Sequence, residues 1–158
     1  MSQGDLNHVS VIANDLGRSL AFYEELFGLE RIPTPNFGFP VQWLRAGERQ
    51  LHLFERPGDA PVYAHLALGV ANEDVPRIYE LARERSCFDE TTFGAHLIEL
   101  PNDLVQLYLR DPSGNLVEVN AHGASRLPEE LRSVMVPLRD RFPQTAENEQ
   151  GMLYLSVN

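Results

Sequence analysis

The sequence predicts an α+β fold of two paired βαβββ modules, residues 5–62 and 63–122, forming a curved mixed sheet, with a C-terminal helical extension over 123–158. Three observations predict it: an internal repeat, strands whose apolar residues alternate, and an amphipathic helical stretch after the first strand of each copy. Residues 6 to 26, LNHVSVIANDLGRSLAFYEEL, resemble residues 63 to 81, YAHLALGVANEDVPRIYEL. Residues 41 to 55, VQWLRAGERQLHLFE, likewise resemble residues 105 to 121, VQLYLRDPSGNLVEVNA.

Taken in order, each copy opens on an alternating strand in which His8 and His65 hold the same position, followed by Val9 with Leu66 and Val11 with Leu68. Asn14 or Asp15 in the first copy, and Asn72 in the second, supply the side-chain oxygen that caps the helix. The helices each carry a Tyr-Glu pair. The second strands fall in 29–40 and 88–103, where Pro and Gly interrupt the pattern. Two further strands close each copy around the turns AGER and DPSGN, and a one-residue gap places His52 on Glu118. Val117 and Val119 then face the core, and Leu116, Glu118 and Asn120 face the other side. Beyond 123 the repeat stops. A helix from near Pro128 puts Leu131, Val134, Met135 and Leu138 on one stripe, Pro137 bends or ends it, and MLYLSV (152–157) forms a last strand.

Composition narrows the chemistry. The formal net charge of −10 repels phosphate backbones and anionic membranes, so neither nucleic acid nor membrane is an expected partner. All 13 basic residues are arginine, which excludes Schiff-base, pyridoxal and phosphate-loop lysines. No apolar run approaches a membrane span and the opening MSQGDLN has no signal-peptide pattern, so the expected location is cytoplasmic. Cys87 stands alone, cannot form an internal disulfide, and reads as a structural thiol.

On the face opposite the apolar partners lie His8, His52, His65 and Glu118. Any one of these histidines by itself reads as an ordinary solvated or satisfied residue. Two repeat-related pairs, all of ligand type, point instead to one divalent metal ion per chain: Fe, Mn, Co, Ni or Zn. His96 is a possible supporting group, and His122, in AHGAS, reads as a loop residue.

The stretches NHVSVIANDLGRSLAFYEELFGLE, AHLALGV and LYLRDPSGNLVEVN resemble the vicinal oxygen chelate superfamily, which includes glyoxalases, epimerases, bleomycin and fosfomycin resistance proteins and extradiol dioxygenases. The resemblance covers roughly residues 5 to 122. It implies modules paired around a metal-binding cavity, metal ligands at His8, His65 and Glu118, His52 at a variable fourth position, and a homodimer. It also implies a small-molecule substrate bound through two adjacent oxygens.

The reaction stays open at this point. YLRDPSGNLVE is similar to the closing signature of extradiol dioxygenases, with Tyr108 and His96 as catalytic candidates, and gives a slight lean to ring cleavage. A glyoxalase-like lyase or epimerase-type isomerase is the alternative. There His52 stands where glyoxalase I often has a carboxylate, and serves as ligand or as base. Fosfomycin-type chemistry ranks third, because residues 94 to 103 hold no cation for a phosphonate. A metal-free binding protein of the bleomycin resistance type is the non-enzymatic alternative. Phe37, Phe39, Trp43, Phe54, Phe93 and Tyr108 are candidates for an aromatic wall.

Overall fold

A computed structural model describes residues 7–151 and 153. The fold is a mixed α+β arrangement with two sheets, one of four strands and one of five. The chain divides into two compact units: the first runs to Pro61 and takes in Asp111–Asn115, and the second holds Val62–Arg110 and resumes at Leu116.

In the first unit, β1 (His8–Ala13), α1 (Leu16–Phe27), β2 (Glu30–Ile32), β3 (Val41–Ala46) and β4 (Arg49–Glu55) follow one another along the chain. The sheet order is β1-β4-β3-β2, with β1 parallel to β4 and the other pairs antiparallel. Asp15 caps α1 by accepting from the Arg18 amide, and Gly28 ends it in the left-handed region that a side chain would disfavour. Leu20, Phe22, Tyr23 and Leu26 of α1 are buried, as are Ala13, Leu44, Leu51 and Leu53 on one face of the sheet. Each such leucine stabilises the fold by about 1.5–3 kcal/mol through the area it removes from water. The other face is left for chemistry.

The turn Asp111–Asn115 belongs to this first unit for a visible reason. Asp111 is 4% exposed and its carboxylate accepts from the Tyr23 hydroxyl (3.0 Å), the Ser113 amide (2.9 Å), and the Asn115 amide and side chain (2.9 and 2.8 Å). Asn115 Nδ2 also donates to the Ile12 carbonyl and the Asn14 amide donates to Ser113 Oγ. DPSGN is therefore a plug as well as a turn.

The second unit repeats the plan with β5 (His65–Gly69), α2 (Val75–Glu84), β6 (Leu97–Leu100), β7 (Leu104–Arg110) and β8 (Leu116–His122). Its sheet order is β5-β8-β7-β6, with a two-residue strand, β9 (Val136–Pro137), beyond β6, and β5 runs parallel to β8. Here the helix start differs from the expected cap. Asn72 opens a short 3₁₀ turn before α2, and its Nδ2 donates to the carbonyls of His122 and Gly123, tying β5 to the end of β8. His122 is the last residue of β8, paired with Leu104, rather than a loop residue; the chain turns one position later, at Gly123 with φ 97°.

After Gly123 the single expected helix is broken in two. α3 (Glu129–Val134) ends at Met135, Val136–Pro137 form β9 in parallel register with Ile98 and Glu99, and α4 (Leu138–Arg141) follows. The cause is Pro137, which has no amide to continue a helix and pushes the residue before it toward extended backbone. The expected strand at 152–157 lies outside the described residues, apart from Leu153. Among the described residues, no helix is long and apolar enough to cross a membrane.

Candidate metal centre

Strand register fixes which side chains share a face. In the first unit His52 is paired with Ser10, two residues beyond His8, and with Trp43 on β3. In the second, Glu118 is paired with Ala67, two residues beyond His65, and with Tyr108 on β7. The two sheets thus place His8 with His65, His52 with Glu118, and Trp43 with Tyr108 in the same positions. The extra residue of the second copy is accommodated in its turn.

In the first unit three rings stand in a stack across neighbouring strands. His52 lies 4.2 Å from His8 and 4.3 Å from Trp43, centroid to centroid, with interplanar angles of 16° and 6°. Phe54 continues the row beside His52, with Phe37 and Phe39 packed near it. His52 is 5% exposed. Burial, and then the neighbouring His8, lower its pKa below the ordinary histidine value, so the ring is neutral at physiological pH. Its Nε2 lies 2.8 Å from Gln50 Oε1, an acceptor, so Nε2 carries the hydrogen and Nδ1 keeps its lone pair. By the same reasoning His8 donates from Nδ1 to Asn7 Oδ1 at 2.9 Å, which leaves Nε2 free.

The second unit holds the carboxylate. Glu118 is 5% exposed, and its Oε1 accepts from Gln106 Nε2 (2.8 Å) and Asn120 Nδ2 (2.9 Å). Its Oε2 faces His65 Nε2 at 3.4 Å. His65 Nδ1 lies 2.9 Å from the Tyr63 carbonyl, which can only accept, so Nδ1 holds a hydrogen and Nε2 is the ring atom turned toward the carboxylate. An imidazole nitrogen and a carboxylate oxygen face each other here, both of metal-ligand type. That pairing suits a borderline divalent ion, as does Nε2 of His8.

Around Glu118 the hydrogen bonds run one way. Tyr108 donates its hydroxyl to Gln106 Oε1 at 2.8 Å, and Gln106 passes its amide hydrogens to Glu118. Burial, then the Glu118 charge, push the Tyr108 phenol far above its ordinary pKa, so it stays protonated. Phe93 covers this patch, its ring 4.6 Å from Tyr108 and edge-on to His65 at 6.1 Å. Asp89 and Arg110 anchor the loop that carries Phe93: Arg110 reaches Asp89, Thr92 and the Val62 carbonyl. Asn120 Oδ1 is buried and has no hydrogen-bond partner among the described residues, a cost of about 1–3 kcal/mol.

His96 is held elsewhere. It stacks on Phe88 at 4.4 Å, pairs with Glu90 at 3.0 Å and meets the Tyr79 hydroxyl, placing its ring by α2 rather than beside Tyr108 or Glu118. Cys87 is partly buried, contacts the Ala82 carbonyl, and burial raises its thiol pKa, which makes it a poor nucleophile. A cleft of about 320 Å³ opens beside the C-terminal segments, lined by Glu99, Asn102, Asp103, Arg139 and Glu149 among others, and by none of the expected site residues. Among the described residues no three His, Cys, Asp or Glu side chains gather into a metal-holding set.

Sequence reasoning found the two repeat-related pairs and Tyr108 but missed Gln106 and Asn120 as partners of Glu118. The signal was present: both alternate onto the Glu118 face.

The chain is 28% identical over 133 residues to human mitochondrial methylmalonyl-CoA epimerase, covering 73% of each chain. It is 29% identical over 133 residues to the corresponding bovine protein, again covering 73% of each. Among solved structures, lactoylglutathione lyase from Agrobacterium tumefaciens matches at 23% identity and TM-score 0.54, over 77% of this chain and 96% of that one. The fosfomycin resistance protein FosX from Listeria monocytogenes, in a variant crystallised with Mn(II) and 1S,2S-dihydroxypropylphosphonic acid, matches at 18% identity and TM-score 0.59, over 84% and 98%. With residues 5–119 matching the family as a whole, the chain belongs to the Glyoxalase/Bleomycin resistance protein/Dioxygenase superfamily, the vicinal oxygen chelate group.

Proposed function

We propose that the protein is a metal-dependent enzyme that moves a proton beside a carbonyl group, an isomerase or lyase of the epimerase and glyoxalase kind. The observation that carries this reading is His52: a buried imidazole, neutral at physiological pH, with Nε2–H committed to Gln50 and the Nδ1 lone pair free. A neutral base tethered at one nitrogen is what proton abstraction requires. The similarity to methylmalonyl-CoA epimerases supports it independently.

In this reading His8, His65 and Glu118 would hold one divalent ion per chain. Such an ion supplies positive charge to two adjacent substrate oxygens as negative charge develops on them. His52 accepts the proton at Nδ1 and returns it there, while Gln50 keeps the ring from turning. Trp43 and His8 on its two faces exclude water and keep the imidazole weakly basic. Phe54, Phe37 and Phe39 form the apolar wall of the substrate site, and Phe93 covers the Glu118 end.

The dioxygenase reading rests on Tyr108. Its hydroxyl donates to Gln106, so toward a ligand it offers lone pairs rather than a proton, and this weakens the support it draws from the YLRDPSGNLVE pattern. Oxygen separates the two readings. Metal-loaded protein, incubated anaerobically in D₂O with carbonyl compounds including a methylmalonyl thioester, should exchange the hydrogen next to the carbonyl. Turnover that requires dioxygen overturns the proposal. Metal analysis should find about one ion per chain, and His65→Ala and Glu118→Ala should each abolish loading; full occupancy in the double variant overturns the ligand assignment.

A further inference from the structure

Glu118 has two oxygens, and the structure treats them differently. Oε1 takes both amide donors, from Gln106 and Asn120; Oε2 takes neither and faces His65. Each amide is fixed in its orientation, because a carboxylate only accepts: turning either one over would set oxygen against oxygen. For Gln106 the arrangement is satisfied at both ends, since its own oxygen accepts from Tyr108. For Asn120 it is not. Asn120 is 3% exposed, donates to Glu118, and leaves Oδ1 buried without a partner among the described residues.

A side chain present only for packing has no reason to keep that orphan. Replacing it by an apolar group of similar shape would remove the unpaired acceptor, and buried polar atoms in native proteins are nearly all paired. The exception marks a residue kept for its donor. Gln106 and Asn120 face each other across β7 and β8, two residues along the ladder from the Tyr108–Glu118 pair and on the same face, so the two amides hold the carboxylate from adjacent strands.

We propose that Gln106 and Asn120 are positioning residues that tie up Oε1 of Glu118, so that only Oε2 is presented to a metal ion. This rests on the metal reading above. With Oε1 occupied, Glu118 would offer a metal ion one oxygen rather than two, and so would leave room for substrate oxygens. Freed of its amides, Glu118 can swing and bind through both oxygens, filling a position that the substrate needs.

The test uses Co(II) as the probe, added to metal-stripped full-length protein. Asn120→Leu and Gln106→Leu should each weaken Co(II) binding by about 10- to 100-fold, the usual consequence of removing a partner of a ligating group. The visible absorption of the bound Co(II) should lose intensity as its coordination number rises. Metal-free Asn120→Leu should melt at the wild-type temperature or above it, because the variant removes an unpaired acceptor. Asn120→Ala, which adds no bulk, checks that any loss of affinity is not a misfolding effect. If wild-type protein fails to bind Co(II), the metal reading falls and this inference with it. If wild-type binds and the variants match it in affinity and spectrum, the inference alone falls. A metal-free Asn120→Ala that unfolds easily but binds Co(II) normally assigns Asn120 to packing and overturns it as well.

Discussion

Trp43 is the only tryptophan and lies flat against His52, which makes a single residue an optical reporter of the proposed base. Burial lowers the His52 pKa first, and His8 adds to it, so the folded value lies below the unfolded value of about 6.5. The unfolded chain therefore binds more protons in the acid range. The stability contributed by neutral His52 is complete above about pH 6.5 and is lost as pH falls through the folded value. Trp43 fluorescence should titrate with a midpoint below about 6.5, and His52→Gln should remove that transition; a midpoint at or above the ordinary value contradicts the assignment. Asp111 permits a second residue-scale prediction. Asp111→Ala strands the Tyr23 hydroxyl and the Ser113 and Asn115 donors in a buried site, and should cost about 3 kcal/mol or more, read as a lower urea midpoint. What was legible at this scale followed from residue type and spacing. His52 and Glu118 could be matched across a gap because the longer DPSGN turn absorbs it, whereas the Tyr23–Asp111 bond joins residues from different copies and no local pattern announces it.

At the scale of elements, the repeat showed both βαβββ plans in order, because period-two strands and capped helices are local features. The C-terminal extension was less legible. Its apolar stripe suited a helix, but the outcome depended on Pro137 and on an available edge of β6, and an edge is a property of a finished sheet. Val136 and Pro137 cover that edge, and Leu138 packs against the cluster of Ile98, Tyr108 and Leu116 with Phe93. Arg141 donates to the Phe93 carbonyl and lies against Gly94, whose φ of 73° disfavours any side chain. Truncation after Gly123 should therefore expose β6 and loosen the loop that carries Phe93. Hydrogen exchange should show faster amide exchange at Ile98 and Glu99 with β7–β8 still protected; unchanged exchange would mean that the extension does not brace the sheet.

For the whole molecule, the charge of −10 sets how ligands approach. An anionic substrate should bind faster as salt rises, and a neutral one should be indifferent, which stopped-flow mixing at two ionic strengths distinguishes. The family resemblance suggests a homodimer, and light scattering at micromolar concentration should report twice the chain mass. Mixing His8→Ala with Glu118→Ala then shows where a site draws its ligands: recovered turnover means that each site takes one pair from each chain, and no recovery means that a single chain supplies both.

The plug formed by Asp111–Asn115 bears on how the protein is made. The first unit draws its closing hydrogen bonds from residues that a ribosome adds only after most of the second unit has been translated. A nascent chain that has just emerged through Pro61 holds a strand, a helix and three strands, yet Tyr23 still lacks its acceptor and the Ile12 carbonyl its donor. The amino-terminal half must wait, half-built, for its own carboxyl-terminal neighbour. The first copy is finished only by a turn that the sequence places inside the second.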